Sequence, residues 1–226
     1  MSAFTKIVAT AALTLAASSA SAALIEVQSQ TQSNNFSLTT WTDNFTFNLF
    51  DSSLVGGAAL QRVELSLAGQ SVSNLTFNAV TDSFVNGSAG SSIFATVGLG
   101  GGALNIDVSP TGTFGGVGPG VAVPGGASTS IGPLNGADAS SSFTTAAADL
   151  AAFTGPGTFD VALLGLGSLN LTALGGNVDT VQDTQSQGTF SISYFIDDTP
   201  PSTVPVPGTL ALMGLGLLAM RARKSS

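Results

Sequence analysis

Arg62-Val63-Glu64-Leu65-Ser66-Leu67 alternates polar or charged side chains with apolar ones. Successive side chains of an extended strand point to opposite faces. The run therefore predicts a strand that buries Val63, Leu65 and Leu67 and shows Arg62, Glu64 and Ser66 to water. The same period recurs on either side. Phe45, Phe47 and Leu49 alternate with Asn44, Thr46 and Asn48, and further candidates are Leu75, Phe77 and Ala79, then Ile93, Ala95, Val97 and Leu99, then Leu104, Ile106 and Val108. The second half adds Phe159, Val161 and Leu163, then Leu169 and Leu171, then Phe190, Ile192, Tyr194 and Ile196. Gly, Asn, Asp and Ser turn residues separate these runs. About ten short strands of this kind predict an all-β chain folded as an antiparallel β-sandwich, with a barrel as the second choice.

Two stretches depart from the period. Ser140 to Phe153 contains Ala146-Ala147-Ala148-Asp149-Leu150-Ala151-Ala152 and is followed by Gly155-Pro156-Gly157. That composition predicts one short helix of one or two turns, stopped by the breakers and covering an open end of the sandwich. Residues 110–137 are Gly/Pro-rich and nearly without charge, which predicts a long irregular loop.

The chain has 226 residues, 43% of them apolar and 8% charged, with 28 glycines and 14 phenylalanines. A core can be built, and the surface must be rich in Ser, Thr, Asn and Gln. Of the five basic residues, Lys6 lies near the start and Arg221, Arg223 and Lys224 near the end. Arg62 alone faces all thirteen Asp and Glu, so the body carries a net charge of −12. Such a surface repels phosphate backbones and anionic headgroups, which excludes nucleic acid as a partner. Cysteine and histidine are both absent. Disulfides, thiolate metal sites and cysteine nucleophiles are removed together.

The two ends read as processing signals. Lys6 supplies a positive n-region, Ile7 to Ala17 an apolar h-region, and Ala20-Ser21-Ala22 the small-residue pattern read by signal peptidase. Residues 1–22 are thus expected to form a signal helix cleaved between Ala22 and Ala23. At the other end Val204-Pro205-Val206-Pro207-Gly208 precedes the uncharged stretch Thr209 to Met220, and Arg221-Ala222-Arg223-Lys224 follows as a basic stop. The prolines prevent a helix from beginning before about Gly208. Twelve helical residues rise about 18 Å, short of a hydrocarbon core. The terminal cations favour the cytoplasmic side, leaving the body outside.

This order of Pro-motif, apolar stretch and Arg-rich end resembles the PEP-CTERM tail of Gram-negative bacteria, a sortase-like signal handled by an exosortase. Where that family most often places Glu between its prolines, this chain has Val206. The resemblance implies an exosortase-like membrane enzyme as partner, transient anchoring of residues 204–226 in the inner membrane, and sorting to the cell surface or an exopolysaccharide matrix. The plain alternative is a C-terminal anchor. Between the ends, residues 23–198 make one domain and residues 199–203 a proline-stiffened linker. From Thr31 to about Ile196 the body is similar to secreted modules called choice-of-anchor E domains. The similarity rests on Trp41 to Phe50, Arg62 to Leu67 and Asp149 to Thr158. It implies a surface or matrix module with no catalytic residues to carry over.

Chemistry-bearing residues are sparse. A hydrolytic triad lacks its histidine, and no G-x-S-x-G elbow, P-loop or H-E-x-x-H helix occurs. Glu26 and Glu64 are the only glutamates, and Arg62 lies two residues from Glu64 on the same strand face, so a surface ion pair is expected. No enzyme is expected. Calcium is the one cofactor for which ligands are at hand, in the acidic turns at Asp179 and Asp183 and at Asp197 and Asp198, although neither has EF-hand spacing. Sequons at Asn35, Asn44, Asn74, Asn86 and Asn170 arise readily in so polar a chain. The expected role is a non-enzymatic surface or matrix protein, with a calcium- or carbohydrate-binding adhesion module as the alternative.

Overall fold

A computed structural model describes residues 23–99 and 102–198. The signal segment 1–22, the linker 199–203 and the tail 204–226, including the two terminal helices expected from the sequence, lie outside the described residues. Leu24–Asp198 forms one compact unit. The expected sandwich is present as two antiparallel sheets. The first has the order β1 (Leu24–Ser33), β11 (Val178–Asp197), β4 (Leu60–Ala79), β9 (Ser128–Thr144), and the two-residue β2 (Ser37–Leu38) also pairs with β11. The second has the order β3 (Trp41–Asn48), β10 (Thr158–Leu174), β5 (Ser83–Leu99), β6 (Gly102–Val108), and β7 (Thr111–Phe114) and β8 (Val121–Val123) follow β6 along the same edge of β5.

The strands are not short. β4 and β11 each run 20 residues, about 65 Å at the usual rise, and β5, β9 and β10 each run 17. The inward face of β4 explains why the sequence broke this strand into two. It reads Val63, Leu65, Leu67, then Gly69, Ser71, Ser73, then Leu75, Phe77, Ala79, all buried. The two-residue period never stops, but its middle third is small and polar. Two apolar cores result. The larger gathers Phe45, Phe47, Ile93, Val161, Phe190 and Tyr194 among others, and the smaller gathers Leu75, Phe77, Val85, Phe114 and Val123.

Between them lies a polar waist whose groups satisfy one another. Ser186 Oγ accepts from Trp41 Nε1 at 2.8 Å and from Ser91 Oγ at 3.0 Å. Ser73 and Thr184 share a hydrogen bond of 2.8 Å, and Ser71 Oγ donates to the Pro110 carbonyl at 2.7 Å. Small residues let the sheets close here: a Cβ on Gly69 would lie 2.8 Å from Val108 Cγ2 and 3.0 Å from Ile93 Cδ1. Ser186→Ala orphans two buried donors, so it is expected to destabilise the domain by about 1–3 kcal/mol. Trp41 is the only tryptophan, so a shift of its fluorescence on substitution reports the loss directly.

Two further expectations are corrected. Residues 110–137, read as an irregular loop, hold β7, β8 and the first part of β9. Glycine-rich composition hid them, because pairing to β5 and β4 supplies the order that side chains do not. The helix expected within Ser140 to Phe153 is α1, Ala147–Ala152 only, since residues up to Thr144 belong to β9. Leu150 and the buried Phe153 pack on the larger core, as expected of a cap.

Candidate functional site

The two ends of the described domain lie together in the fold. β1 and β11 are antiparallel neighbours with Leu24 opposite Asp197, so the expected cleavage position beside the exposed Ala23 and the departure of the chain at Asp198 share one pole of the sandwich. The turn between β10 and β11 lies at the other pole. Ala20 and Ala22, the motif Val204-Pro205-Val206-Pro207-Gly208 and the stop at Arg221, Arg223 and Lys224 lie outside the described residues.

The acidic turn expected at Asp179 and Asp183 is a stretch of strand. Both residues are exposed on β11, paired with Asn78 and Asn74 of β4. Four residues of extended chain set them about 13 Å apart, too far to share an ion whose ligands lie near 2.4 Å. Sequence spacing alone suggested a cluster, and strand geometry separates it. Asp197 is the last residue of the same strand and Asp198 follows it. Asp197 is half-buried and its Oδ1 has no hydrogen-bond partner. Among the described residues no three acidic side chains converge on a point that could hold a metal ion.

The ion pair expected between Arg62 and Glu64 is formed, with Nη2 2.9 Å from Oε2. What the sequence did not reveal is the stacking around it. The guanidinium carbon lies 4.5 Å from the ring centre of Phe143 and 5.3 Å from that of Phe195. The body's one cation is therefore held by a carboxylate and two aromatic faces.

Tyr194, the only tyrosine, is fully buried and donates to the Asn48 carbonyl at 2.8 Å. Burial pushes its phenol well above the ordinary value of 10.0. The unfolded phenol ionises near pH 10 while the folded one stays neutral. This contribution to stability is therefore complete below about pH 10 and is lost as pH rises toward the folded value. Alkaline titration is expected to show no tyrosinate absorbance until the domain unfolds, and Tyr194→Phe is expected to flatten the alkaline fall in stability.

A depression of ≈ 570 Å³ lies on the outer face of the second sheet. Its floor comes from three adjacent strands. Asn44, Ala162 and Thr96 form one cross-strand row, and Thr42, Leu164 and Phe94 the next. Phe94 is 40% exposed, and Asp43 lines the depression with them. An accessible ring among short hydroxyl and amide side chains can stack on a flat apolar ligand face while hydrogen-bonding its rim. No sequence signal marked it, because the strand period places Phe94 on the solvent face without saying what surrounds it.

A family profile described as the PEP-CTERM protein-sorting motif matches residues 203–225. The motif marks the chain as exported and sorted to the cell envelope or surface by an exosortase, a membrane enzyme. No curated protein matches the chain. Among solved structures, similarity is found to the T13 IBDV viral particle, at 11% identity and a TM-score of 0.21 over 88% of this chain and 48% of that one. Particles derived from Infectious Bursal Virus with T=1 symmetry give 12%, 0.20, 89% and 47% in the same order. The chain spans about half the length of each, and at these TM-scores neither likeness bears on fold or function.

Proposed function

We propose that the chain is a non-enzymatic structural protein of the cell surface or extracellular matrix of a Gram-negative bacterium, associated there with exopolysaccharide. The observation that carries this reading is the sorting motif at 203–225, which begins five residues after the last described residue of the domain, Asp198. Signal peptidase would cut after Ala22, and the exosortase would act near Val204 to Gly208 while Thr209 to Met220 sits transiently in the inner membrane. A choice-of-anchor body fits this reading, being a β-rich module followed by a sorting signal. The scarcity of bases and the pairing of Glu64 with Arg62 favour a role without catalysis. Mass spectrometry of protein from its native host tests it. A chain starting at Ala23 and lacking Arg221 to Ser226 is expected, and an intact C-terminus on surface-located protein would refute removal of the tail.

The depression around Phe94 favours a second reading, an adhesion module for a neutral glycan. Calorimetry with matrix polysaccharide is expected to show heat that Phe94→Ala weakens by about tenfold, the scale of one stacking ring. Equal heats for both proteins would exclude that surface.

A further inference from the structure

Exposed strand edges are the natural joining points of β-proteins, and most edges here are blunted. Gln30 caps β3 by donating to the Asn48 carbonyl at 2.8 Å and accepting from the Asn48 N–H at 2.9 Å, and Gln32 donates to the Thr46 carbonyl. β1 shifts register between Glu26 and Gln28. β9 is interrupted at Gly132-Pro133, between the pairs Ser73–Leu134 and Leu75–Ile131. The stretch of β11 beyond β1 and β2 carries Asp179 and Asp183.

One edge has none of these devices. Pairing of β10 with β3 stops at Gly165, and Ser168–Leu174 keeps β5 on one side with no strand on the other among the described residues. This segment and the turn after it, through Asn177, hold no charge and no proline. Leu169, which the sequence placed on a buried face, is 38% exposed and Leu174 is 56% exposed.

We propose that Ser168–Leu174 pairs antiparallel with the same segment of a second copy, about a two-fold axis at Leu171, merging two six-stranded sheets into one. An antiparallel edge is self-complementary under such an axis, with Leu169 of one copy meeting Ala173 of the other. Charge selects the occupant. A basic partner would be drawn to the acidic stretches, whereas a body of net −12 accepts another like itself only across an uncharged contact. The geometry has a directional result. β10 runs toward the pole opposite Asp198, so antiparallel pairing overlaps two copies at their far ends and points their tail-bearing poles away from each other. Such a dimer bridges two opposing surfaces rather than two sites on one. The bridging role rests on the surface reading above; the dimer does not.

Both cores and all the strand pairings lie within residues 23–198, so that unit serves for the test. Sedimentation equilibrium from micromolar to sub-millimolar concentration is expected to show monomer and dimer, tightening severalfold with added salt as the like charges are screened. Leu169→Asp with Ala173→Asp is expected to be monomeric, and so is Leu169→Lys with Ala173→Lys. An equimolar mixture of the two is expected to form the heterodimer. Unchanged circular dichroism shows that these exposed substitutions leave the fold intact. A monomeric wild type at high salt overturns the proposal, as does a doubly acidic variant that dimerises like the wild type or a mixture that stays monomeric.

Discussion

Phe47→Ala is expected to bring the domain close to unfolding, with a loss of about 3–5 kcal/mol from a total that for domains of this size is on the order of 5–15 kcal/mol. The ring has no exposed surface and touches three others. Its centroid lies 5.9 Å from Phe159, 5.5 Å from Phe190 and 6.4 Å from Phe45. These come from β3, β10 and β11, so truncation opens a void where the two sheets meet, and long paired strands cannot bend locally to fill it. Urea denaturation checks the magnitude through a lowered midpoint at constant slope. Phe94→Ala is the matched control: the same atoms are removed from a half-open ring on the outer face, and a change within about 0.5 kcal/mol is expected.

Deleting residues 204–226 is expected to abolish retention at the envelope while leaving the fold and export intact. The sorting motif lies wholly beyond Asp198, and both cores lie before it. Fractionation of the native host should move the protein from surface to medium. Replacing Pro205 and Pro207 together by alanine is a finer test, because it removes the breakers that fix where the apolar helix can begin. The unprocessed chain, with Arg221 to Ser226 intact, is then expected to accumulate in the membrane fraction. An unchanged distribution in the deletion strain would mean that the motif does not govern where the protein resides.

Much of the fold was legible where apolar and polar residues alternate strongly, as at Arg62 to Leu67 and Phe190 to Ile196. Both lie in the larger core, and the ion pair of Arg62 with Glu64 followed from their shared strand face. Continuity was not legible. From Gly69 to Ser73, and again from Thr184 to Gly188, the buried face is small and hydroxylated, and hydropathy ends a strand where pairing carries it on. Asp179 and Asp183 misled for a related reason. Proximity in sequence implies proximity in space only in a turn, and their pairing to Asn78 and Asn74 puts them in an extended segment. The depression around Phe94 and the open edge of β10 depend on which strands stop short of their neighbours, and local sequence does not encode that.

The position of β11 gives the domain a mechanical character. The strand that leads into the tail is an interior one, registered with β4 along nearly its whole length and with β1 over its last third and more. Tension applied through Asp198 along the sandwich would load these hydrogen bonds side by side, as shear, instead of peeling them apart in succession. An edge strand in that place would unzip; a tether drawn from the middle of a sheet pulls against both neighbours at once.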